Sequence, residues 1–317
     1  MRPHPGHPGT EAAPHRLRRG TIAITITAAT GHYGRLVIDE LLGRGVPASG
    51  IIAAVRDVTK AADLAERGVQ IREADYDRPE TLAPAFTGAT TLLLIPGAEF
   101  GRRYPQMRHA IAAAVEARVE LVAYAGCVNT GTSTLRLGEE HQRTEQELRA
   151  SGLPHVLLRN GAYTEMYTTT LGPALEHGAV IGSFGDGRIS GATRADLAAA
   201  AATVLLAGDD QSGRVYELGG TAFTMSDLAA EVSRQTGTPV VYRNVPVDQY
   251  AHVLTSAGLP AAFAELLADT SLAATRGDWY TDSTDLPRLL GRPSTTLATA
   301  VAEALAAGRA TTFDPRG

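Results

Sequence analysis

The sequence has 317 residues, of which 44% are hydrophobic, so it can bury a sizeable core in one large domain or two closely joined ones. Its net charge of −5 gives no basic footprint of nucleic-acid binding, and no apolar run approaches the roughly 20 residues of a membrane helix. Cys127 is the only cysteine, which excludes an intramolecular disulfide and favours a reducing cytoplasm.

Residues 1–20, MRPHPGHPGTEAAPHRLRRG, differ in composition from the rest of the chain. They are rich in Pro, Gly, His and Arg, and they contain no apolar segment typical of a signal peptide. We predict a disordered N-terminal extension, with a functional arm as the alternative. The histidines of this segment, His4, His7 and His15, lack the spacing of metal ligands, so we predict no metal site.

From Thr21 onward, short apolar runs alternate with helical patterns. TIAITIT, GIIAAV, GVQIREA, TTLLLIP, VELVAYAG and PHVLLRN have the length of buried strands, and patterns such as QMRHAIAAAVEAR lie between them. This alternation predicts a doubly wound parallel sheet of the Rossmann type over residues 21–162. After Ala162 the pattern loosens into helices with the isolated strands VYELGG and PVVYRNVP. We therefore predict a smaller C-terminal α/β part, residues 163–317, that binds substrate against the carboxyl edge of the sheet.

The first predicted strand leads into TITAATGHYG, with the spacing Ala28-x-x-Gly31-x-x-Gly34. A dinucleotide-binding turn usually places glycine at the first of these positions, before a helix whose free N–H groups face a pyrophosphate. Alanine there is compatible with a negative φ and costs about 1 kcal/mol if φ is positive. Its place between a strand and a helix favours a cofactor site over a plain turn. The cofactor residues predicted here are Ala28, Ala29, Thr30, Gly31, His32, Tyr33 and Gly34.

The ends of the next strands indicate which dinucleotide binds. The second strand ends with Arg56, where a NAD site tends to carry an acidic residue. A guanidinium suits a 2′-phosphate, which favours NADP(H), although the adjacent Asp57 keeps NAD(H) as an alternative. Asp75, after the third strand, is predicted to accept from the adenine amine, with an ordinary loop acid as the alternative. Pro96 and Gly97, after the fourth strand, complete the predicted cofactor surface.

Several segments together resemble one family, the NmrA-like branch of atypical short-chain dehydrogenases. They are ITAATGHYG, VRD, EADYD, LLLIP, EEHQRTEQELRASGLPHVLLRNGAYTEMY, GDGRISGATRADLAAAAA, VYELGG and TTLATAV. The resemblance extends to the bacterial NAD(P)H:quinone oxidoreductases of that branch, and it covers nearly everything from residue 21 to about residue 308. It implies an NADP(H) cofactor, no flavin, no metal, and a small quinone or aromatic molecule as substrate.

The chain departs from this family at the positions that supply a proton. Ordinary short-chain dehydrogenases reduce carbonyls with a Tyr-x-x-x-Lys pair, but the only lysine here is Lys60, in the second βα unit. The corresponding helix reads Leu137-x-x-x-His141-x-x-x-Glu145, and Gln146 stands where the quinone oxidoreductases have a lysine. His141 falls at the lysine position. We predict that it is a candidate active-site residue that positions the nicotinamide ribose rather than a general acid.

The missing acid bears on the substrate. Hydride addition to a ketone gives an alkoxide that requires immediate protonation or strong electrostatic stabilisation. Addition to a quinone gives a hydroquinone anion near phenol in basicity, with a reference pKa of about 10, which solvent can protonate. The sequence therefore favours direct hydride transfer from NADPH to a quinone. An NADP(H)-binding redox sensor of the NmrA type, or a biosynthetic reductase or cyclase acting on a polycyclic aromatic, remain as alternatives.

The substrate end of the site is predicted from the segment LLRNGAYTEMY. Asn160 and Gly161 are expected beside the nicotinamide, where the sixth strand meets the C-terminal part. Tyr163 and Tyr167 either stack on a quinone ring or pack in the core. Cys127 is either a small buried side chain or part of the pocket lining. The residues do not specify an oligomeric state, and a homodimer stays open beside a monomer.

Overall fold

The computed structural model describes residues 23–168 and 171–308, so the disorder predicted for residues 1–20 lies outside the described range. The strands are β1 (Ile24–Thr27), β2 (Ile51–Val55), β3 (Gln70–Glu73), β4 (Thr91–Leu94), β5 (Leu121–Cys127), β6 (His155–Asn160), β7 (Ala179–Gly182), β8 (Val215–Leu218) and β9 (Val241–Asn244). The helices are α1 (His32–Gly43), α2 (Ala62–Glu66), α3 (Leu82–Phe86), α4 (Arg103–Glu116), α5 (Arg136–Ala150), α6 (Glu165–Thr168), α7 (Leu171–His177), α8 (Arg194–Ala207), α9 (Met225–Thr236), α10 (Val247–Ser256), α11 (Ala261–Thr275), α12 (Asp285–Leu290) and α13 (Leu297–Ala306). Among these, no helix has the length and apolar character to cross a bilayer.

Seven strands form one sheet in the order β3-β2-β1-β4-β5-β6-β8, and every neighbouring pair is parallel. Strands β1, β2 and β4 are buried at every position because helices cover both faces of the sheet. The predicted Rossmann-type fold is confirmed. The strand order reverses at β1, because β2 lies on one side of β1 and β4 lies on the other. In such sheets the crevice at this reversal, at the carboxyl ends of the strands, is where ligands bind.

The sheet extends beyond the predicted boundary at residue 162. Strand β8 pairs with β6, and α8 packs against α1, where the Arg44 side chain donates to the Ala199 carbonyl at 2.8 Å. The chain thus returns to the Rossmann layers after entering the C-terminal part. The reason lies in the sequence of α8, RADLAAAAATVLLA, which is buried over most of its length. A helix that is apolar on all sides has no amphipathic period by which the sequence could assign it to one face.

The C-terminal part has a smaller core of its own. Strands β7 and β9 form a two-stranded parallel sheet, and the buried side chains beside it include Phe184, Phe223 and Trp279. The same cluster contains Cys127 and Ala162, from the carboxyl ends of β5 and β6. The second core therefore lies directly against the edge of the large sheet that carries the predicted site.

Gly34→Ala should destabilise the fold. A Cβ at Gly34 would lie 2.8 Å from the Ala28 oxygen and 2.8 Å from the Ala29 Cα, whereas a Cβ at Gly43, in the same helix, would meet nothing within 4 Å. We expect Gly34→Ala to lower the free energy of unfolding by about 1–3 kcal/mol. Gly43→Ala should raise it by up to about 1 kcal/mol. Urea unfolding of both variants checks this, and an equal effect would contradict the close packing of α1.

Candidate cofactor and substrate site

The predicted cofactor residues come together along one edge of the sheet. Parallel strands all end at the same edge, so residues far apart in sequence become neighbours there. In chain order, this edge carries 28–34 after β1, Arg56 after β2, Asp75 after β3, Pro96 and Gly97 after β4, Cys127 at the end of β5, and Asn160 and Gly161 at the end of β6.

The turn after β1 presents backbone donors. The Gly31 N–H donates to the Ala28 carbonyl at 2.9 Å, and Gly31 is the residue that precedes the first turn of α1. Within the described residues, no side chain caps this helix start and no acidic side chain lies in its first turn. The N–H groups of the first turn are therefore open to an anion, and the helix dipole favours one there. These features fit a pyrophosphate.

Ala28 adopts the backbone conformation that a glycine would adopt. Its φ is +48°, in the left-handed region, where a Cβ costs roughly 1–2 kcal/mol. The turn therefore keeps the dinucleotide-binding path in spite of the missing glycine, and it does so with strain at one residue. Gly34 has no such freedom, because the backbone of the same turn fills the space its side chain would need.

Two charged residues lie at the adenosine end of the site. Arg56 is 69% exposed, and its guanidinium lies 3.8 Å from the Glu99 carboxylate. Asp75 is half-buried, and one oxygen of its carboxylate accepts from the Asp77 N–H at 3.0 Å. Asp75 follows β3 on the same edge of the sheet as Arg56, so its predicted contact with an adenine amine stays a prediction.

The turn after β4 is closely packed at Gly97. The Arg103 Nε donates to the Gly97 carbonyl at 2.9 Å, and a Cβ on Gly97 would lie 3.0 Å from the Gln106 Oε1. The Tyr76 hydroxyl donates to the Ile95 carbonyl at 2.8 Å and joins the ends of β3 and β4. Backbone is therefore what this turn offers to a ligand that lies across the edge.

His141 is buried between α5 and the sheet. Its Nδ1 lies 2.7 Å from the Tyr124 hydroxyl of β5, and only 6% of the residue is exposed. Burial, with a smaller contribution from the nearby Arg103 guanidinium, lowers the pKa of His141 to about 3. The imidazole is therefore neutral at physiological pH. It holds α5 against β5 and carries no proton that it can readily give to a substrate.

Tyr163 belongs to an aromatic group beside the glycine turn. Its ring centroid lies 6.2 Å from that of Tyr33, and the Arg194 guanidinium lies 4.5 Å from the ring centre on its face. Burial raises the pKa of both tyrosine hydroxyls, and the Arg194 charge partly opposes this for Tyr163. Both amide atoms of Asn160 are buried and make no hydrogen bond of good geometry among the described residues, although the amide lies close enough to the Tyr33 and Tyr163 hydroxyls to lower their pKa. A buried amide with spare hydrogen-bonding capacity at the end of β6 fits a polar ligand group there.

Tyr167 and Cys127 lie deeper. The Tyr167 ring is partly buried and meets Phe184 and Phe223 edge-on, with centroid distances of 6.0 Å and 5.6 Å, against the second core. Burial, followed by the Glu217 charge, raises the pKa of the Cys127 thiol to about 12, so the sulfur is a neutral thiol. The structure thus brings Tyr163 next to the glycine turn, while Tyr167 and Cys127 pack behind the surface.

The sequence favours a helix cap or an ion pair for Arg194 over a catalytic role, and the ion pair is present: its guanidinium lies 3.8 Å from the Glu165 carboxylate. Thr193 caps α8, and the Arg194 side chain also stacks on Tyr163, a contact that the sequence does not predict. Tyr124 and Arg103 surround His141 from other elements, and no local pattern pairs residues across a sheet and two helices. Within the described ranges, no three His, Cys, Asp or Glu side chains are grouped so that they could hold a metal.

The strain at Ala28 gives a direct test of the turn. Ala28→Gly should relieve the positive φ, so dinucleotide affinity should stay equal or increase and stability should change by less than about 1 kcal/mol. Ala29→Gly is the matched control, because Ala29 is fully buried and has no positive φ. It should lose about 1 kcal/mol of stability. Cofactor titration and urea unfolding check both, and weaker binding by Ala28→Gly would contradict this assignment of the turn.

Comparisons with known proteins agree with the prediction of a dinucleotide-binding protein. The NAD(P)H-binding family matches residues 28–207, from the glycine turn to the end of α8. Quinone oxidoreductase 2 of Escherichia coli is 46% identical over 279 residues, which cover 88% of this chain and 97% of that protein. An NmrA-like family domain-containing oxidoreductase of Aspergillus flavus is 27% identical and covers 84% of this chain and 90% of its own.

Solved structures extend the likeness to three dimensions. The E. coli NADPH-dependent quinone oxidoreductase, complexed with NADPH, superposes with a TM-score of 0.86 at 45% identity and covers 89% of this chain and 99% of its own. The Citrobacter sp. triphenylmethane reductase, complexed with NADP(H), has a TM-score of 0.86 at 37% identity, with 89% and 100% covered. With the fold, the glycine turn and these near full-length matches in hand, the chain belongs to the NAD(P)H-binding family, as an NmrA-like relative of the bacterial quinone oxidoreductases.

Proposed function

We propose that this protein is an NADPH-dependent oxidoreductase that transfers a hydride directly to a quinone or a quinone-like aromatic substrate. The observation that supports the proposal is that the glycine turn with Gly31, at the start of α1, and Arg56 follow β1 and β2, which are neighbouring parallel strands. That pair offers one site for a pyrophosphate and one for a 2′-phosphate. The near full-length similarity to a quinone oxidoreductase supports the choice of acceptor.

Different residues of the sheet edge bind different parts of the cofactor. NADPH, when bound, supplies the hydride. The open N–H groups of α1 bind the pyrophosphate, Arg56 binds the 2′-phosphate, and Asp75 accepts from the adenine amine. The absence of a side chain at Gly97 lets the ligand lie close to the sheet edge. Asn160 offers its buried amide to the nicotinamide end. Neither a flavin nor a metal is required, since both donor and acceptor exchange two electrons.

The chain's own residues do not need to provide a proton. A quinone that has accepted a hydride is an anion of phenol-like basicity, with a reference pKa of about 10, so water can protonate it. His141 is neutral and buried, and burial raises the pKa of its partner Tyr124, so neither group is a ready acid. We assign His141 a positioning role: through Tyr124 it fixes α5 behind the nicotinamide ribose.

The aromatic group around Tyr163 suits a flat acceptor. Its ring is held from one side by Arg194 and from another by Tyr33, so it is rigid before any substrate arrives. A rigid aromatic side chain can hold a quinone face to face with the cofactor at low entropic cost. Tyr167 and Cys127 support this surface from the second core.

A redox sensor of the NmrA type is the second candidate function. The observation that favours it is the absence of the Tyr-x-x-x-Lys pair, because a protein that binds NADP(H) without turnover needs no proton donor. NADPH oxidation in the presence of a naphthoquinone separates the two candidates. Turnover supports the reductase. Tight binding without turnover supports the sensor, and product analysis with polycyclic aromatics tests a biosynthetic reductase.

Arg56→Ala should weaken NADPH binding selectively. Loss of a charge-assisted contact at an exposed site should raise the Kd for NADPH roughly tenfold. The Kd for NADH should change by less than about twofold, because NADH has no 2′-phosphate for the guanidinium. Arg67→Ala is the matched control, since Arg67 is also exposed and ion-paired, to Asp39 at 2.7 Å, but lies after α2. Titration by nicotinamide fluorescence checks all three proteins, and equal losses for both cofactors would contradict the assignment.

The pH profile of quinone reduction tests His141. With a pKa of about 3, the imidazole stays neutral, so turnover at saturating NADPH should be flat from about pH 5.5 to 8. His141→Ala should raise the Kd for NADPH but keep turnover within about tenfold, or about 1.4 kcal/mol. A general acid would instead cost about 10²–10⁴-fold, with an acid-dependent limb that disappears in the variant.

Stability has its own dependence on pH through the same residue. The folded pKa of His141, about 3, lies below its ordinary value of 6.5, so the unfolded chain binds the proton more readily. The stabilisation from neutral His141 is complete above 6.5 and is lost as the pH falls toward 3. Rates should therefore be compared only where unfolding measurements show both proteins to be folded.

A further inference from the structure

The loop between β4 and α4 brings additional charges to the adenosine end. The Glu99 carboxylate lies between two guanidinium groups, with Oε1 3.8 Å from the Arg56 Nη1 and Oε2 3.0 Å from the Arg102 Nη1. The Arg102 Nη2 also lies 2.7 Å from Asp77. These residues follow β2, β3 and β4, so the cluster spans the sheet edge on which the adenosine is expected to lie.

The two arginines are not equally engaged. Arg102 has a carboxylate within 3.0 Å on each side, whereas the Glu99 carboxylate reaches Arg56 only at 3.8 Å. The nearest acid along the chain, Asp57, accepts from the Thr59 N–H at 3.0 Å and the Thr59 hydroxyl at 2.6 Å, and the Arg56 charge is the smallest of the causes that lower its pKa. Glu99 is thus the carboxylate that can compete with a ligand for Arg56, and its closer ion pair with Arg102 holds it away from Arg56.

We propose that Glu99 sets the preference between NADPH and NADH by competing with the 2′-phosphate for Arg56. Arg102 weakens this competition because it forms an ion pair with Glu99. The inference rests on the proposed binding of NADPH at Arg56. A phosphate carries up to two negative charges, so a nearby carboxylate opposes its binding both by repulsion and by occupying Arg56. NADH has only hydroxyls at this ribose. Its affinity is therefore independent of Glu99.

Three variants test the competition: Glu99→Gln, Arg102→Ala and the double variant. Glu99→Gln should bind NADPH about three- to tenfold more tightly, and Arg102→Ala about three- to tenfold more weakly. The double variant should bind at least as tightly as the wild type, because Arg102 is needed only while Glu99 is charged. The Kd for NADH should stay within about twofold in all of them, as expected for a ligand without the charge.

The measurement is a fluorescence titration of the full chain with NADPH and with NADH, at about 0.05 M and 0.5 M salt. The effect of Glu99→Gln should shrink at the higher salt, since these charges are exposed. Glu40→Gln is the control: it makes the same charge change on α1, where Glu40 pairs with Arg44 at 3.2 Å. Arg102→Lys should keep most of the wild-type preference.

Each contrary result has a definite meaning. If NADPH binds and Arg56→Ala weakens it, but Glu99→Gln leaves its Kd unchanged, the competition is overturned and the proposed function stands. A double variant that binds as weakly as Arg102→Ala would overturn the role given to Arg102, because Arg102 would then bind the phosphate itself. A wild-type chain that binds no NADPH would overturn the proposed function and the inference together.

Discussion

The candidate site depends on how closely α1 approaches the end of β1. The backbone of Ala28 and Ala29 fills the space where Gly34 would carry a side chain, and this contact aims the open start of α1 along the sheet edge. The proposed pyrophosphate site at the start of α1 and the packing of α8 against α1 both depend on that approach. The left-handed φ of Ala28 shows that the turn keeps its path even against local strain.

Much of the fold could be predicted because its signals are local. Alternating buried strands and helices specified a parallel sheet, and strand ends placed Arg56, Asp75 and Asn160 on one edge. What the sequence did not reveal depends on contacts between distant elements. The φ of Ala28 follows from the packing of the turn, and the neutral state of His141 follows from burial against Tyr124. The alanine-rich α8 has no amphipathic periodicity, so the sequence does not predict that it packs back against the Rossmann layers.

Electrostatics at the two ends of the site follow different rules. At the proposed nicotinamide end, charged forms are removed from water, and burial keeps His141, Tyr163 and Cys127 neutral. At the proposed adenosine end, Arg56 and Glu99 stay exposed, so their attraction is weak and easily exchanged for another partner. A buried neutral surface suits a flat aromatic acceptor, while an exposed and exchangeable ion pair suits the capture of a charged cofactor.

The pairing of β8 with β6 has a consequence for how the chain folds. Residues 24–160 contain six strands of the sheet, yet β6 has an unpaired edge and α1 an uncovered face until α8 and β8 arrive from residues 194–218. The chain enters the second core between β6 and α8 and completes it only after β8. The contacts of α8 and β8 with the large sheet therefore join residues far apart in sequence and slow the search for the native state. During synthesis on the ribosome, α1, which follows the glycine turn, stays partly uncovered until α8 has been made. The exposed edge of β6 in that interval is a site at which other chains can associate. Pairing of β8 with β6 covers this edge and so lowers the risk of aggregation.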